Sequence, residues 1–281
     1  MTDPSDLTPR LTLNSGTTIP QLGCGVFKVA PEAAQQVVEQ ALELGYRHID
    51  TATGYNNEAA VGAALKASGL PRDQIFVTTK LRNDHHRAGD VAGAFQRSLD
   101  YLGLDYVDLY LIHWPLPAVG RYVEVWRQLE GFWRDGRAKA IGVSNFTVPH
   151  LENLLSQSEV VPAVDQVELH PLFQQTELRT YLATKGIAVE SWGPLGQGRW
   201  PLDQFPAIAQ AAQAHAKSPA QVILRWHVQE GFIAIPKAVQ PEHAAANLDL
   251  FDFELSAAEL TAIRALDTGH RLGGDPDQVN G

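Results

Sequence analysis

The chain has 281 residues, of which 44% are hydrophobic and 19% are charged, a balance that is ordinary for a globular protein with a sizeable core. Its formal net charge of -10, without a basic run, makes it a poor partner for nucleic acid or an anionic membrane surface. The single cysteine, Cys24, excludes an intramolecular disulfide and favours a reducing, cytoplasmic compartment. The acidic start does not have the pattern of a signal peptide, and no apolar run approaches the roughly 18 residues of a membrane span.

The predicted elements begin with a β-hairpin, in which strand-like residues flank an Asn-Ser-Gly turn at residues 14–16. Short apolar runs then alternate with segments of helical spacing, of which residues 33–44 and 122–133 are the clearest. Strand and helix in alternation predict an α/β fold, a (β/α)8 TIM barrel. The eight predicted barrel strands are residues 22–25, 48–50, 76–79, 107–112, 140–144, 164–168, 188–191 and 232–236.

The chain is expected to form one domain over residues 1–281, because no Gly/Ser-rich linker divides it. Residues 1–9 are expected to be flexible. The long stretch 194–231 is expected to hold an additional helix or loop. Residues 270–281 are polar and Gly-rich and predict a short C-terminal tail.

Four polar side chains follow three consecutive predicted strands. Asp50 and Tyr55 come after the second strand, Lys80 after the third and His113 after the fourth. In a parallel barrel these strand ends meet at one mouth. A phenol is a weak acid with a pKa of about 10, and a nearby ammonium favours its ionised form, so the cluster predicts a site that protonates an oxygen. Taken singly, Asp50 would more often be a helix cap and His113 more often a core histidine, and their joint arrangement favours a site.

Polar and flat side chains also follow the later strands. Ser144 and Asn145 end the fifth strand and Gln166 lies on the sixth, where they either bind an amide ligand or cap the next helices. Trp192 ends the seventh strand and offers a stacking surface, and Lys237 follows the eighth, where barrels often bind phosphate. Together these features predict a dinucleotide site.

Two pairs of residues resemble metal ligands but do not predict a metal site. His85 and His86 are adjacent, and adjacent side chains seldom converge on one ion, so a solvated loop is expected. Glu168 and His170 alternate near a strand end, but no His-x-His motif accompanies them at an earlier strand. No metal is therefore expected, and a metallohydrolase is disfavoured.

The motifs, taken together, resemble those of the aldo-keto reductase family over nearly the whole chain. In order, they are G-Y-R-H-I-D-T-A, T-T-K-L, L-I-H-W-P, G-V-S-N-F, Q-V-E-L-H-P and I-P-K. The short loop after His113 and the W-G-P-L-G-Q-G motif are most similar to the bacterial 2,5-diketo-D-gluconate reductase-like branch. The resemblance implies an NAD(P)H-dependent oxidoreductase that reduces small aldehydes and ketones by hydride transfer from the nicotinamide.

The resemblance also implies roles for individual residues. Tyr55 would be the general acid, Lys80 would lower its pKa, Asp50 would pair with Lys80, and His113 would orient the substrate carbonyl. The residues implied to bind the cofactor are Ser144, Asn145, Gln166, Trp192, Gly193, Leu195, Gly196, Lys237, His243 and Asn247. The residues implied to contact the substrate are Phe27, Arg82 and Trp114.

The chain departs from the family pattern at several positions. Ala238 replaces a Ser or Thr, and His243 replaces an Arg, so two phosphate ligands are lost and NADP(H) is expected with NAD(H) as a possible second cofactor. Asp165 replaces an Asn before Gln166, with a small expected effect. A cofactor-sensing regulatory subunit without catalysis is the alternative function, and the complete set of four catalytic residues favours the enzyme. The expected partner is a small carbonyl substrate, and a monomer is compatible with the sequence.

Overall fold

The computed structural model describes residues 8–279, apart from the side chains of residues 87 and 88. Residues 1–9 were predicted to be flexible, and residues 1–7 of that segment lie outside the described residues. The chain opens with the predicted hairpin, in which β1 (Arg10–Thr12) pairs antiparallel with β2 (Thr18–Pro20). The turn between them is closed by a hydrogen bond from the Leu13 amide to the Thr17 carbonyl, 2.8 Å long.

Eight parallel strands follow and form one sheet in which sequential strands are neighbours. This order is that of a (β/α)8 barrel, as predicted. The strands are β3 (Cys24–Gly25), β4 (His48–Asp50), β5 (Phe76–Leu81), β6 (Val107–Ile112), β7 (Ala138–Ser144), β8 (Val164–Glu168), β9 (Ala188–Trp192) and β10 (Ile233–Ala234).

The barrel closes between its first and last strands. Leu22 and Ala234 form a parallel bridge just before β3, and the Ala234 amide donates to the Gln21 carbonyl at 2.8 Å. The Gly23 amide in turn donates to the Ala234 carbonyl at 2.9 Å. These bonds satisfy backbone groups that an open sheet would leave exposed at its two edges.

Helices cover the outside of the barrel. They are α1 (Pro31–Leu44), α2 (Glu58–Ala67), α3 (Asp84–Ala88), α4 (Val91–Leu102), α5 (Tyr122–Arg134), α6 (Val148–Leu155), α7 (Thr176–Lys185), α8 (Pro206–His215), α9 (Pro219–Gln229), α10 (Pro241–Leu248) and α11 (Ala257–Arg264). The first is typical in its sequence signals. It begins at Pro31, where the missing proline N–H costs no hydrogen bond. It ends at Leu44 and is followed by Gly45, whose φ of 110° few other residues adopt.

Several element bounds differ from those predicted. β5 continues to Leu81, so Lys80 lies inside the strand rather than after it. β10 is only Ile233–Ala234, shorter than the predicted 232–236, and Pro236 has no N–H with which to extend the ladder. The stretch 194–231 holds α8 and α9, which confirms additional helix there.

The hairpin closes the amino-terminal end of the barrel. Leu13 and Ile19 are buried there among the side chains that fill this end, which are Phe76, Leu109, Leu111, Ala140, Ala163, Val164 and Ile233. The side-chain amide of Asn14 donates to the Pro162 carbonyl at 2.9 Å and fixes the turn against the barrel. Polar side chains at the opposite, carboxyl-terminal mouth are therefore the ones open to a ligand.

The helices of the described part of the chain are too short or too polar to cross a membrane.

Candidate active site

The buried ammonium group of Lys80 organises the centre of the mouth. Its Nζ donates to both carboxylate oxygens of Asp50, at 2.6 and 2.8 Å, and to the Thr51 carbonyl at 3.0 Å. The Tyr55 hydroxyl lies 3.4 Å from the same nitrogen. β4 and β5 are adjacent strands, and Asp50 and Lys80 come from their carboxyl ends. The structure thus brings together the phenol, ammonium and carboxylate that the sequence predicts.

The rings of His113 and Phe27 flank Tyr55 at the open side of this cluster. The His113 and Tyr55 ring centroids are 5.7 Å apart in an edge-to-face arrangement, and Phe27 lies 5.0 Å from Tyr55 on another side. Tyr55 and His113 are half-buried, whereas Lys80 and Asp50 are inaccessible to solvent. The phenol and the imidazole are therefore the groups of this cluster that a substrate can reach.

The buried position of the cluster shifts its ionisation equilibria. Burial raises the pKa of the Tyr55 phenol, and the Lys80 ammonium opposes this by stabilising phenolate. Burial lowers the pKa of Lys80, but Asp50, Tyr55 and Glu190 together outweigh it and the net pKa is raised, so the ammonium stays charged. Burial, followed by the charge of Lys80, lowers the pKa of His113 to about 3. The imidazole is consequently neutral near pH 7.

The loop that carries Tyr55 is held by Asn57, a residue that our sequence analysis did not select. Its side-chain amide donates to the carbonyls of Val26 and Val29, at 3.1 and 3.2 Å, and its oxygen accepts from the Thr51 hydroxyl at 2.8 Å. Asn57 thereby joins the loop after β3, which carries Phe27, to the loop after β4. The sequence signal for this role is the Tyr-x-Asn-Glu motif of residues 55–58, which begins at Tyr55 and contains Asn57.

The predicted amide-binding residues form a continuous chain of hydrogen bonds. The Asn145 amide nitrogen donates to the His113 carbonyl and to the Ser144 hydroxyl, both at 3.0 Å, and its oxygen accepts from the Trp192 indole at 2.8 Å. Ser144 donates to the Gln166 carbonyl at 2.7 Å. The amide nitrogen of Gln166 points down to two carboxylates, so its side-chain oxygen is left as an acceptor for a ligand amide. This set of groups fits a nicotinamide carboxamide.

A second buried layer beneath the four predicted catalytic residues contains Glu190 and His48. Glu190 accepts from the Gln166 amide at 2.8 Å, and its other oxygen lies 3.5 Å from Nε2 of His48. Neither residue was selected from the sequence. Side chains two apart on a strand face the same side, so the selection of Trp192 gave a signal for Glu190 on β9.

The predicted phosphate-binding residues lie beyond β9 and β10. Gly193 and Leu195 follow β9, and the side chains of Lys237 and His243 are exposed near the start of α10, while Ala238 and Asn247 are buried. Local packing also requires a glycine at position 196, because a Cβ on Gly196 would overlap the Trp200 indole. The exposed Lys237 ammonium and the amino terminus of α10 are compatible with a phosphate group.

The predicted C-terminal tail crosses the mouth and is fixed by Glu168. This buried carboxylate accepts from the amides of Leu272 and Gly273, at 2.5 and 2.7 Å, and lies 3.0 Å from Nε2 of His170. Gly273 packs so closely on Trp192 that a side chain there would overlap the indole. Glu168 and His170, which resembled metal ligands in the sequence, are therefore used to hold the tail.

The predicted substrate-binding residues occupy different positions around the mouth. Phe27 is 44% exposed and forms an apolar edge next to Tyr55. Trp114 is half-buried, and a Cβ on Gly274 of the tail would lie 3.5 Å from its ring. The Arg82 guanidinium is exposed and pairs with Asp84 at 3.3 Å, so its charge is partly neutralised by a neighbour.

The fold and the site define a barrel enzyme whose mouth holds a half-buried phenol beside a buried ammonium–carboxylate pair and a chain of hydrogen-bonded amides. Residues 20–268 match the model of the Aldo/keto reductase family. An aldo-keto reductase of Mycolicibacterium smegmatis is 49% identical over 98% of this chain and 99% of its own length. The methylglyoxal reductase DkgA of Escherichia coli is 45% identical over 96% of this chain and 98% of its own length. The crystal structure of a mutant of Gox0644 in complex with NADPH has a TM-score of 0.92 and 43% identity, over 97% of this chain and 98% of that one.

The chain belongs to the aldo-keto reductase family. The predicted resemblance, including the bacterial 2,5-diketo-D-gluconate reductase-like branch, is confirmed. The protein is an oxidoreductase that reduces carbonyl groups with a nicotinamide cofactor, as the sequence predicted. The relatives named above are reductases, and they give no support to the alternative of a regulatory subunit.

Proposed function

We propose that Tyr55 is the general acid of this carbonyl reduction, with Lys80, Asp50 and His113 as its supporting groups. The observation that carries the proposal is the position of the Lys80 ammonium, which is bonded to both Asp50 oxygens and lies 3.4 Å from the Tyr55 hydroxyl. A phenol that loses its proton beside this ammonium forms a stabilised phenolate. Asp50 keeps Lys80 charged and in place.

The groups at the mouth act on the carbonyl oxygen. When bound, the nicotinamide cofactor supplies the hydride that the carbonyl carbon accepts. Tyr55 donates a proton to the oxygen as negative charge develops there. His113, neutral because burial lowers its pKa to about 3, donates a hydrogen bond to the same oxygen and orients the substrate. The alcohol product leaves through the open mouth, and Tyr55, which is half-buried, regains its proton from solvent.

Tyr55→Phe tests the acid. The substitution removes the hydroxyl and leaves the ring, so we expect kcat/KM for methylglyoxal reduction to fall by about 10²- to 10⁴-fold while NADPH binding, followed by tryptophan fluorescence, is kept. Tyr101→Phe, at a tyrosine that is 56% exposed on α4, is the matched control and should have no effect. Wild-type turnover in Tyr55→Phe would contradict the proposal.

We propose methylglyoxal and similar short oxoaldehydes as substrates. The relatives named methylglyoxal reductases support this class, and Phe27 and Trp114 give the mouth an apolar edge. Arg82 adds a cation at the rim, although Asp84 pairs with it. A comparison of kcat/KM for methylglyoxal with that for a bulky aromatic ketone tests the class, since the small substrate should be preferred.

We propose that the cofactor is NADP(H), with NAD(H) accepted as well. The exposed ammonium of Lys237 supports binding of the additional phosphate, and relatives with bound NADPH or NADP support the first choice. Ala238 and His243 support relaxed selection between the two cofactors. The buried methyl group of Ala238 cannot replace a hydroxyl, and the imidazole of His243 cannot replace a bidentate guanidinium.

The double variant Ala238→Ser with His243→Arg tests this selection. Restoring a hydroxyl and a guanidinium should tighten NADPH binding about tenfold, since a charge-assisted hydrogen bond is worth about 1.5–3 kcal/mol, and should leave the Kd for NADH unchanged. Lys66→Arg, at an exposed position of α2, is the control for an added guanidinium. An equal gain for both cofactors would show that these positions do not recognise the additional phosphate.

A further inference from the structure

Glu190 is a buried acid directly beneath the catalytic groups. It lies on β9, is inaccessible to solvent, and points into the barrel, where it contacts side chains of β4 and β8. Its Oε2 accepts from the Gln166 amide at 2.8 Å, and its Oε1 lies 3.5 Å from Nε2 of His48. Burial lowers the pKa of His48 to about 3, so this imidazole gives Glu190 no counter-charge near pH 7.

The Gln166 amide is oriented by two carboxyl groups. Its nitrogen donates one hydrogen to Oδ2 of Asp50 and the other to Oε2 of Glu190, each at 2.8 Å. The two ends of a side-chain amide have nearly the same shape but opposite hydrogen-bonding capacity. A rotated amide would place its oxygen against the Asp50 carboxylate, which repels it, and would lose the bond that its nitrogen donates to the Glu190 oxygen. Asp50 and Glu190 therefore determine that Gln166 offers an acceptor, and not a donor, to a ligand.

Glu190 also affects the charge of the site. The titratable groups that face it in the described residues are His48 and Asp50 on β4, Tyr55 on the loop after β4, and Lys80 on β5. Burial, and next the Asp50 carboxylate, raise the pKa of Glu190 to about 8. The group is thus neutral at pH 7. When it ionises, its negative charge raises the pKa of Tyr55 and makes the phenol a weaker proton donor.

We propose that Glu190 is a positioning residue of this enzyme, which acts through the Gln166 amide on the nicotinamide carboxamide and on the Asp50–Lys80 pair. The inference rests on the proposed function, in which Gln166 contacts the cofactor and Tyr55 donates the proton. Glu190 itself touches neither substrate nor cofactor. It holds the amide acceptor in place, and its ionisation sets an alkaline limit to carbonyl reduction.

Two substitutions separate these effects. Glu190→Gln keeps an oxygen that accepts from Gln166 but cannot ionise, so kcat at pH 7 should stay near that of the wild type while the decline near pH 8 is lost. Glu190→Met keeps the volume and removes the acceptor, so the Kd for NADPH should rise about tenfold, as for the loss of one hydrogen bond. Asp165→Asn, a buried acid on the other face of β8, is the matched control and should leave the Kd and pH profile unchanged.

The readouts are the Kd for NADPH from tryptophan fluorescence and the pH profile of kcat between pH 6 and 10. A wild-type Kd in Glu190→Met would overturn the proposal, and so would an unchanged alkaline decline in Glu190→Gln. The Tyr55→Phe variant distinguishes a failure of the proposed function from a failure of the role proposed for Glu190. It reports on the acid through turnover, whereas the Kd of Glu190→Met reports on the amide without any turnover.

Discussion

Asp165 and Gln166 are neighbours on β8, and their side chains lie in opposite environments. Gln166 points into the barrel, where two carboxyl groups accept its hydrogens. Asp165 is inaccessible to solvent, and its Oδ1 receives one long bond, 3.4 Å, from the Phe146 amide. Within the described residues its Oδ2 has no hydrogen-bond partner. Burial therefore raises the pKa of Asp165 well above its ordinary value.

Asp165→Asn should stabilise the protein at neutral pH, by about 1–3 kcal/mol, because the amide is neutral in both states and avoids the free energy of keeping a buried carboxyl group protonated at pH 7. The sign depends on pH. Below the pKa of the unfolded chain, Asp165 is protonated in both states and costs nothing. As the pH rises, the unfolded chain releases the proton and the folded protein retains it, so the stability of the wild type falls.

Urea unfolding at pH 7 and pH 5 measures this difference. The advantage of Asp165→Asn should shrink toward the lower pH, by at most about 1.4 kcal/mol for each pH unit. Asp105→Asn, at an exposed position, is the control. An advantage that stays constant over this pH range would show that the carboxyl group is not the cause.

At the residue scale, the sequence predicts the groups that occur in recognisable motifs. Asp50, Tyr55, Lys80 and His113 were selected because each lies at the carboxyl end of an apolar strand or just after it, and the strand ends of a barrel converge. Glu190 was missed because its importance depends on what lies across the barrel, and Gln166 and His48 come from distant parts of the chain. The spacing of two residues from Trp192 places Glu190 on the same face of β9, but no local pattern shows which side chains lie across the barrel from it.

At the scale of elements, α2 packs closely against the end of α4. Gly62 lies on α2, and a Cβ there would be 2.5 Å from the Leu102 carbonyl oxygen and 2.7 Å from that of Tyr101. Backbone atoms cannot move aside as the end of a side chain can. The glycine therefore sets the distance between the two helices, even though glycine weakens a helix.

Gly62→Ala should destabilise the protein by about 1–3 kcal/mol, because α2 and α4 must separate to admit one methyl group. Gly131→Ala is the matched control. It changes an exposed glycine within α5, no described atom lies within 4 Å of the added Cβ, and the substitution should stabilise the protein by about 0.5–1 kcal/mol. Thermal unfolding of both variants measures the difference, and a neutral Gly62→Ala would show that the helices adjust.

The elements themselves were predicted well where their periodicity is strong. The apolar face of α1 and that of α5 gave bounds within two residues of those observed. The bounds of β10 were predicted poorly, since the apolar run 232–236 continues past the point where strand pairing stops. The packing of the C-terminal tail on Glu168 was not predicted, because a polar, Gly-rich segment has no periodicity to read.

At the scale of the whole molecule, we propose that the chain forms one domain. The sheet that begins near Leu22 is completed by Ala234, so the described strands of the barrel depend on each other for closure. Unfolding followed by tryptophan fluorescence and by far-UV circular dichroism should give coincident transitions. The six tryptophans make the first probe sensitive. Two separated transitions would indicate independently folded parts and contradict the proposal.

The bridge between Leu22 and Ala234 has a consequence for synthesis on the ribosome. Its two residues lie near opposite ends of the chain, so an emerging polypeptide cannot close the barrel until almost all of it has been translated. Until then β3 and the latest strand to emerge expose unpaired backbone groups, which invite pairing with other nascent chains. Premature termination before Ala234 therefore yields a fragment with unpaired strand edges. Slow translation lengthens the time for which a chaperone must cover these edges.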